Sequence, residues 1–223
     1  MNAIVKEKNF KYILDELFKA KKFSYCKKIF AVIFKSKPID IVKQTYEADN
    51  DKWIVYHGPT FKMTMNESHT YHCFFSKLDG FNLRFGKTVD DDPIYCGLGP
   101  EILDLEVSVN GCVPVPGSTN CRYCYKNNTN AKPTNMTFET FADIVHTFPI
   151  NLSQIAFGIT GLKTNPDLEK MFEYCRKIGI IPNVTTVGAD MDEHMKDVLE
   201  AKDRRKAGQT VEPYGLTLME VTY

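Results

Sequence analysis

Three cysteines fall within thirteen residues, in Gly111-Cys112-Val-Pro-Val-Pro-Gly-Ser-Thr-Asn-Cys121-Arg122-Tyr123-Cys124. The other four, Cys26, Cys73, Cys96 and Cys175, stand singly. An odd total of seven argues against a disulfide framework and leaves metal binding or buried thiols. The C-x2-C pair is a common zinc half-site, and zinc would then take further ligands from Cys96, His146 or His194. A cubane iron–sulfur cluster uses three thiolates differently, leaving one iron open to a ligand that is not protein. Three unrelated thiols is the remaining reading.

The elements around the loop decide where those thiols stand. Residues 102–109 (ILDLEVSV) predict a strand that runs straight into the cysteine loop. Thr137 can N-cap a helix with Phe138, Phe141, Val145 and Phe148 on one face. Residues 152–157 predict a second strand, stopped by Gly158. Asn165-Pro166 then opens a helix with Leu168, Met171, Phe172, Cys175 and Ile178 inward, and Gly179 ends it. Residues 180–186 predict a third strand, 192–206 a helix, and 214–223 a fourth strand. Such alternation predicts parallel βα units, whose chemistry sits at the C-terminal strand ends. The expected fold is α/β: a partial (βα) barrel of about four parallel βα units over 101–223, preceded by a small α+β N-terminal region.

That N-terminal region divides at residue 48. Residues 1–48 hold eleven lysines against five acids, although the whole chain is formally neutral. Two apolar stripes of helical period run through it: Phe10, Ile13, Leu14, Leu17, Phe18, then Cys26, Ile29, Phe30, Ile33, Phe34. The lysines fall on the other face and read as a solvated surface. Residues 49–100 carry short aromatic runs broken by Asp79-Gly80, which predict a small antiparallel sheet.

Cys121-Arg122-Tyr123-Cys124 resembles the second half of the signature of the radical S-adenosylmethionine (radical SAM) family. Gln154-Ile-Ala-Phe-Gly158-Ile-Thr-Gly161 is similar to its glycine-rich segment after the second strand, and residues 165–186 to its second helix and third strand. The likeness covers roughly residues 102–200. It implies that Cys112, Cys121 and Cys124 hold a [4Fe–4S] cluster, and that Tyr123, Gly158, Gly161, Asn183 and Thr185 contact SAM. The implied reaction is reductive cleavage of SAM to a 5′-deoxyadenosyl radical, which abstracts hydrogen from a substrate. In the family three residues separate the first two cysteines, and here eight do. Either 113–120 are an insertion or Cys112 is not the first ligand. The other class of function is a non-catalytic zinc- or cluster-stabilised binding module.

The implied partners are an electron donor and a peptide or small-molecule substrate. The expected fourth strand, Tyr214 to Tyr223, ends the chain two units short of the family's usual extent and offers an edge to a partner chain or a second copy. No apolar run spans a bilayer, the N-terminal residues show no signal peptide and no nucleic-acid motif is visible, so the expectation is a cytoplasmic protein without membrane or nucleic-acid partners.

Overall fold

The computed structural model describes residues 4, 7–37, 40–112, 126–148 and 150–185. It divides into two compact units. The first runs to Glu101 and takes in Ile150–Ser153, and the second begins at Ile102.

The first unit sets two helices, α1 (Lys8–Lys19) and α2 (Phe23–Ile33), on a five-stranded antiparallel meander. Its strands are β1 (Val42–Ala48), β2 (Asp51–His57), β3 (Phe61–Asn66), β4 (His72–Ser76) and β5 (Asn82–Phe85). Asp49 and Asn50 both adopt positive φ between β1 and β2, a two-residue turn that matches the strand twist. Alternation sends Ile54, Tyr56, Phe61, Met63, Met65, Phe74, Leu83 and Phe85 to the helix side. There they share one core with Phe10, Ile13, Leu17, Ile29 and Ile33. The opposite face is buried too, with Trp53, Tyr71 and Cys73 packed by Cys96 and Leu98. Lys62 stands on that second face, and its ammonium donates to the carbonyls of Ile150 (3.2 Å) and Leu152 (2.7 Å). Burial pushes that ammonium's pKa down to about 7. Tyr71 donates to Glu101 at 2.6 Å, and Arg84 pairs with the same carboxylate at 2.9 Å.

In the second unit β6 (Ile102–Glu106), β9 (Gln154–Gly158) and β10 (Ile181–Val184) form a parallel sheet in the order β10-β9-β6. A two-residue pair, β7 (Ser108–Val109) with β8 (Thr134–Asn135), lies apart from it. Helices α3 (Phe138–His146) and α4 (Leu168–Lys177) make the crossovers. Thr137 caps α3 as expected, its hydroxyl accepting from the Thr140 amide. Phe157 of β9 packs against Phe141 of α3 and Phe172 of α4, so both helices cover one face of the sheet.

The expected partial barrel of about four parallel βα units is therefore corrected. Among the described residues the parallel sheet has three strands, too few to close, and the larger sheet is the antiparallel one of the first unit. Strand–helix alternation fixes that neighbours run parallel, and β6, β9 and β10 do. It says nothing of closure. The expected helix 192–206 and strand 214–223 lie outside the described residues.

Candidate functional site

Among the described residues one face of the parallel sheet carries no helix, and register sets what stands on this helix-free face. Asp104, Ala156 and Asn183 align across it, and next to them Glu106 aligns with Gly158. Asn183 donates to Gln154 Oε1 at 3.1 Å on this face, and Thr185 is exposed one residue beyond β10. Lys126 reaches the same face and pairs with Glu106 at 3.0 Å. A Cβ added at Gly158 would stand 2.6 Å from the Lys126 Nζ and 3.1 Å from the Glu106 Cα, so only glycine leaves that lysine its place. Gly161 serves the turn that follows, its carbonyl accepting from the Thr164 amide at 3.3 Å.

Past β7 the chain turns through Asn110 (φ 61°) and Gly111 (φ 67°) to Cys112. A Cβ at Gly111 would meet Pro133 at 2.8 Å, so this turn needs glycine for space as well as for its dihedral. Two strips of chain hold the turn. From 128–131, Asn128 Oδ1 accepts from the Asn110 amide (3.0 Å), while Asn110 Oδ1 accepts from the Thr129 amide (3.1 Å) and hydroxyl (3.2 Å). The Gly111 amide donates to Ala131 O at 2.8 Å and the Cys112 amide to Thr129 O at 3.1 Å. From the turn after β9, the Thr160 hydroxyl donates to Asn110 O at 2.7 Å and the Thr164 hydroxyl to Gly111 O at 3.3 Å.

Asn165 anchors this assembly from below. Its buried amide donates to Val107 O (2.8 Å) and Met136 O (3.0 Å), and its Oδ1 accepts from the Asp167 amide. Asp167 in turn accepts from the Phe138 amide at the start of α3. The Asn165-Pro166-Asp167 stretch thus ties the chain after β6 and after β8 to the start of α3, and α4 begins only at Leu168.

The structure brings Cys112 and Gly158 to the same end of the sheet, with Asn183 and Thr185 on its helix-free face. Cys121, Cys124 and Tyr123 lie outside the described residues, five, two and three positions before Lys126. Cys112 is half-buried. Cys26, Cys73 and Cys175 are sealed in cores, and burial holds the Cys73 and Cys175 thiols up at about 12. Cys96, one of the further zinc ligands considered, packs against the Trp53–Tyr71 cluster, where burial raises its thiol to about 11. His146, another, sits 2.6 Å from the Tyr174 hydroxyl through its Nε2, and His194 lies outside the described residues. Among the described residues no three His, Cys, Asp or Glu side chains converge on a metal position.

Sequence reasoning missed Asn110, Asn128, Thr160, Thr164, Lys126 and Glu106. Asn110-Gly111 does carry a local signal, because both residues favour the left-handed conformation found there. The others do not, since their partners lie 18–53 residues away. No protein-family model, curated protein or solved structure matches this chain.

Proposed function

We propose that this chain is a radical SAM protein in which Cys112, Cys121 and Cys124 hold a [4Fe–4S] cluster. The observation that carries the reading is the base of the cysteine loop. It leaves the C-terminal end of the first parallel strand and is hydrogen-bonded on both sides, from 128–131 and from Thr160 and Thr164. The donor chemistry fits: soft thiolates suit an iron–sulfur group, and Cys112 is half-buried rather than locked in a core. The chemistry such a pair of cofactors supplies is reductive cleavage of SAM to a 5′-deoxyadenosyl radical, which takes hydrogen from substrate.

The chain's own residues position and shield. Ala156 keeps the middle of the helix-free face low, and Gly158 leaves room for the Lys126 ammonium, so that a ligand at Gly158 meets that charge rather than bare backbone. Asn183 and Thr185 border it with hydrogen-bonding groups, and Gly161 and Tyr123 complete the proposed SAM contacts. The Lys126–Glu106 pair fixes charge of both signs beside the loop. Helices α3 and α4 exclude water from the opposite face. The reading also takes in cytoplasmic residence, an electron donor, a peptide or small-molecule substrate, and a partner chain or second copy at Tyr214–Tyr223. No helix among the described residues is long and apolar enough to cross a membrane.

Anaerobic reconstitution with iron and sulfide tests the proposal. The expected result is a broad absorbance shoulder near ~400 nm with about four irons per chain, followed by SAM cleavage on reduction. A colourless protein holding a single tight zinc would replace this reading with the binding module.

A further inference from the structure

The two helices of the first unit do not segregate their residues as their periodicity predicts. Helix α2 buries Cys26, Ile29, Val32 and Ile33, yet Phe23 (49% exposed) and Phe34 (58%) face solvent, with Phe30 partly buried between them along the helix. Phe18, the last apolar residue of the α1 stripe, is 51% exposed and leans on Phe23 across the inter-helix turn, ring centroids 5.6 Å apart. A surface helix ordinarily has one apolar stripe, and a second, exposed one marks a binding surface.

These rings stand among lysines. Residues 8–37 contain nine lysines, no arginine, and only Asp15 and Glu16 as acids. Lys19 pairs with Glu16 and Lys28 with Asp79, whereas Lys21, Lys22, Lys27 and Lys35 make no ion pair among the described residues. We infer that this face docks on an anionic lipid surface, with Phe18, Phe23 and Phe34 entering the acyl boundary and the lysines at headgroup level.

The chemistry selects that occupant over others. Phe23 and Phe34 are eleven residues apart, about 16 Å along a helix, so the apolar anchors are spread over a plane rather than gathered for one pocket. Flexible lysine stems keep their charge at the headgroups while neighbouring rings go deeper. A nucleic acid would use free ring faces and guanidinium forks. Here Phe30 and Phe34 stack on one another (5.8 Å, 14°), and the basic residues are all point charges. A second copy would bring the same excess of lysine against itself.

The test uses the full chain in sedimentation with vesicles of phosphatidylcholine alone or with about 30% phosphatidylserine, at about 0.1 M and about 0.5 M salt. The expected result is binding to anionic vesicles at least about tenfold stronger than to neutral ones, and loss of it at the higher salt. Phe34→Ser, Phe23→Ser and the pair Lys21→Gln, Lys22→Gln should each weaken it about fivefold or more with an unchanged thermal midpoint, because all four side chains are exposed. Equal partition to both vesicles, wild-type partition of the serine variants, preference for a single-stranded oligonucleotide over anionic vesicles, or concentration-dependent self-association through this face would overturn it.

Discussion

Replacing Asn110 separates two contributions to the base of the cysteine loop. Its φ of 61° lies in the left-handed region, where a residue with a Cβ and no short polar side chain is strained by about 1–2 kcal/mol. Its Oδ1 also accepts from the Thr129 amide and hydroxyl at 3.1 and 3.2 Å. Both hydrogen bonds are solvent-exposed, so together they contribute about 1 kcal/mol. Asn110→Gly removes only the hydrogen bonds, because glycine adopts positive φ freely. Asn110→Ala removes them and adds the strain, for a total near ~2.5 kcal/mol. The Gly111 and Cys112 amides, which donate to Ala131 and Thr129, report local opening by hydrogen exchange. Exchange at both should accelerate about fivefold in the glycine variant and about seventyfold in the alanine variant. After reconstitution, iron loss to a chelator should follow the same order. An alanine variant no faster than the glycine variant would refute the assignment of strain to this position, and wild-type exchange in both would refute the clamp.

Cys112→Ala, Cys121→Ala and Cys124→Ala should each abolish iron retention while Cys96→Ala, Cys26→Ala and Cys175→Ala keep it; iron surviving in the Cys112 variant would remove Cys112 from the ligand set. His72 donates from Nδ1 to Gly86 O (2.9 Å), and its ring is stacked against Phe85 and Tyr12. Burial, opposed in part by that hydrogen bond, lowers its pKa to about 4. The folded state then binds fewer protons than the unfolded one between about pH 4 and the ordinary histidine value, so stability is full above that window and falls as pH drops through it. Burial lowers His57 to about 4 as well, so chemical denaturation at about pH 7 and about pH 5 should show a loss of which His72→Asn removes about 2 kcal/mol and leaves a like share to His57; an unchanged pH slope in that variant would defeat the attribution. Gly158→Ala should leave the thermal midpoint within about 2 °C, because its Cβ first meets the flexible end of Lys126, yet weaken SAM binding by calorimetry; undiminished SAM affinity would sever that face from the proposed site.

What the sequence exposed of the fold depended on whether each signal was local. The helices α3 and α4 and the strands β6, β9 and β10 carry their own periodicity, caps and stops, and all appear near their expected positions. Strand β1 was hidden because Val42–Ala48 is polar and exposed along most of its length, so its alternation marks no buried face. Only the Asp49-Asn50 turn betrays it. β3 conceals its alternation for the opposite reason. Both faces of that strand are covered, so Phe61–Asn66 is buried at every residue, Lys62 included. In α1 and α2 the period is right and the partition is wrong at Phe18 and Phe34, because periodicity gives a face and not the limits of what covers it.

The eight residues between Cys112 and Cys121, where the family has three, bear on the same distinction. Loop closure entropy grows only with the logarithm of length, and extending a flexible loop from three residues to eight costs about 0.9 kcal/mol. That cost matters for a loop whose ends are free to separate. Here the first end is fixed by hydrogen bonds from Asn110, Gly111 and Cys112 to 128–131, with Thr160 and Thr164 holding it from the other side. The second end enters the same strip at Lys126, two residues beyond Cys124, and Lys126 is itself paired with Glu106. Closure is thus made by residues outside the cysteine motif, and Asn110 alone contributes more than the added length costs. Because the closure lies outside the motif, the x8 interval leaves Cys112 eligible as a ligand. Cys96, the next cysteine that could stand first in the set, is half-buried like Cys112 but packs on the Trp53–Tyr71 cluster of the first unit.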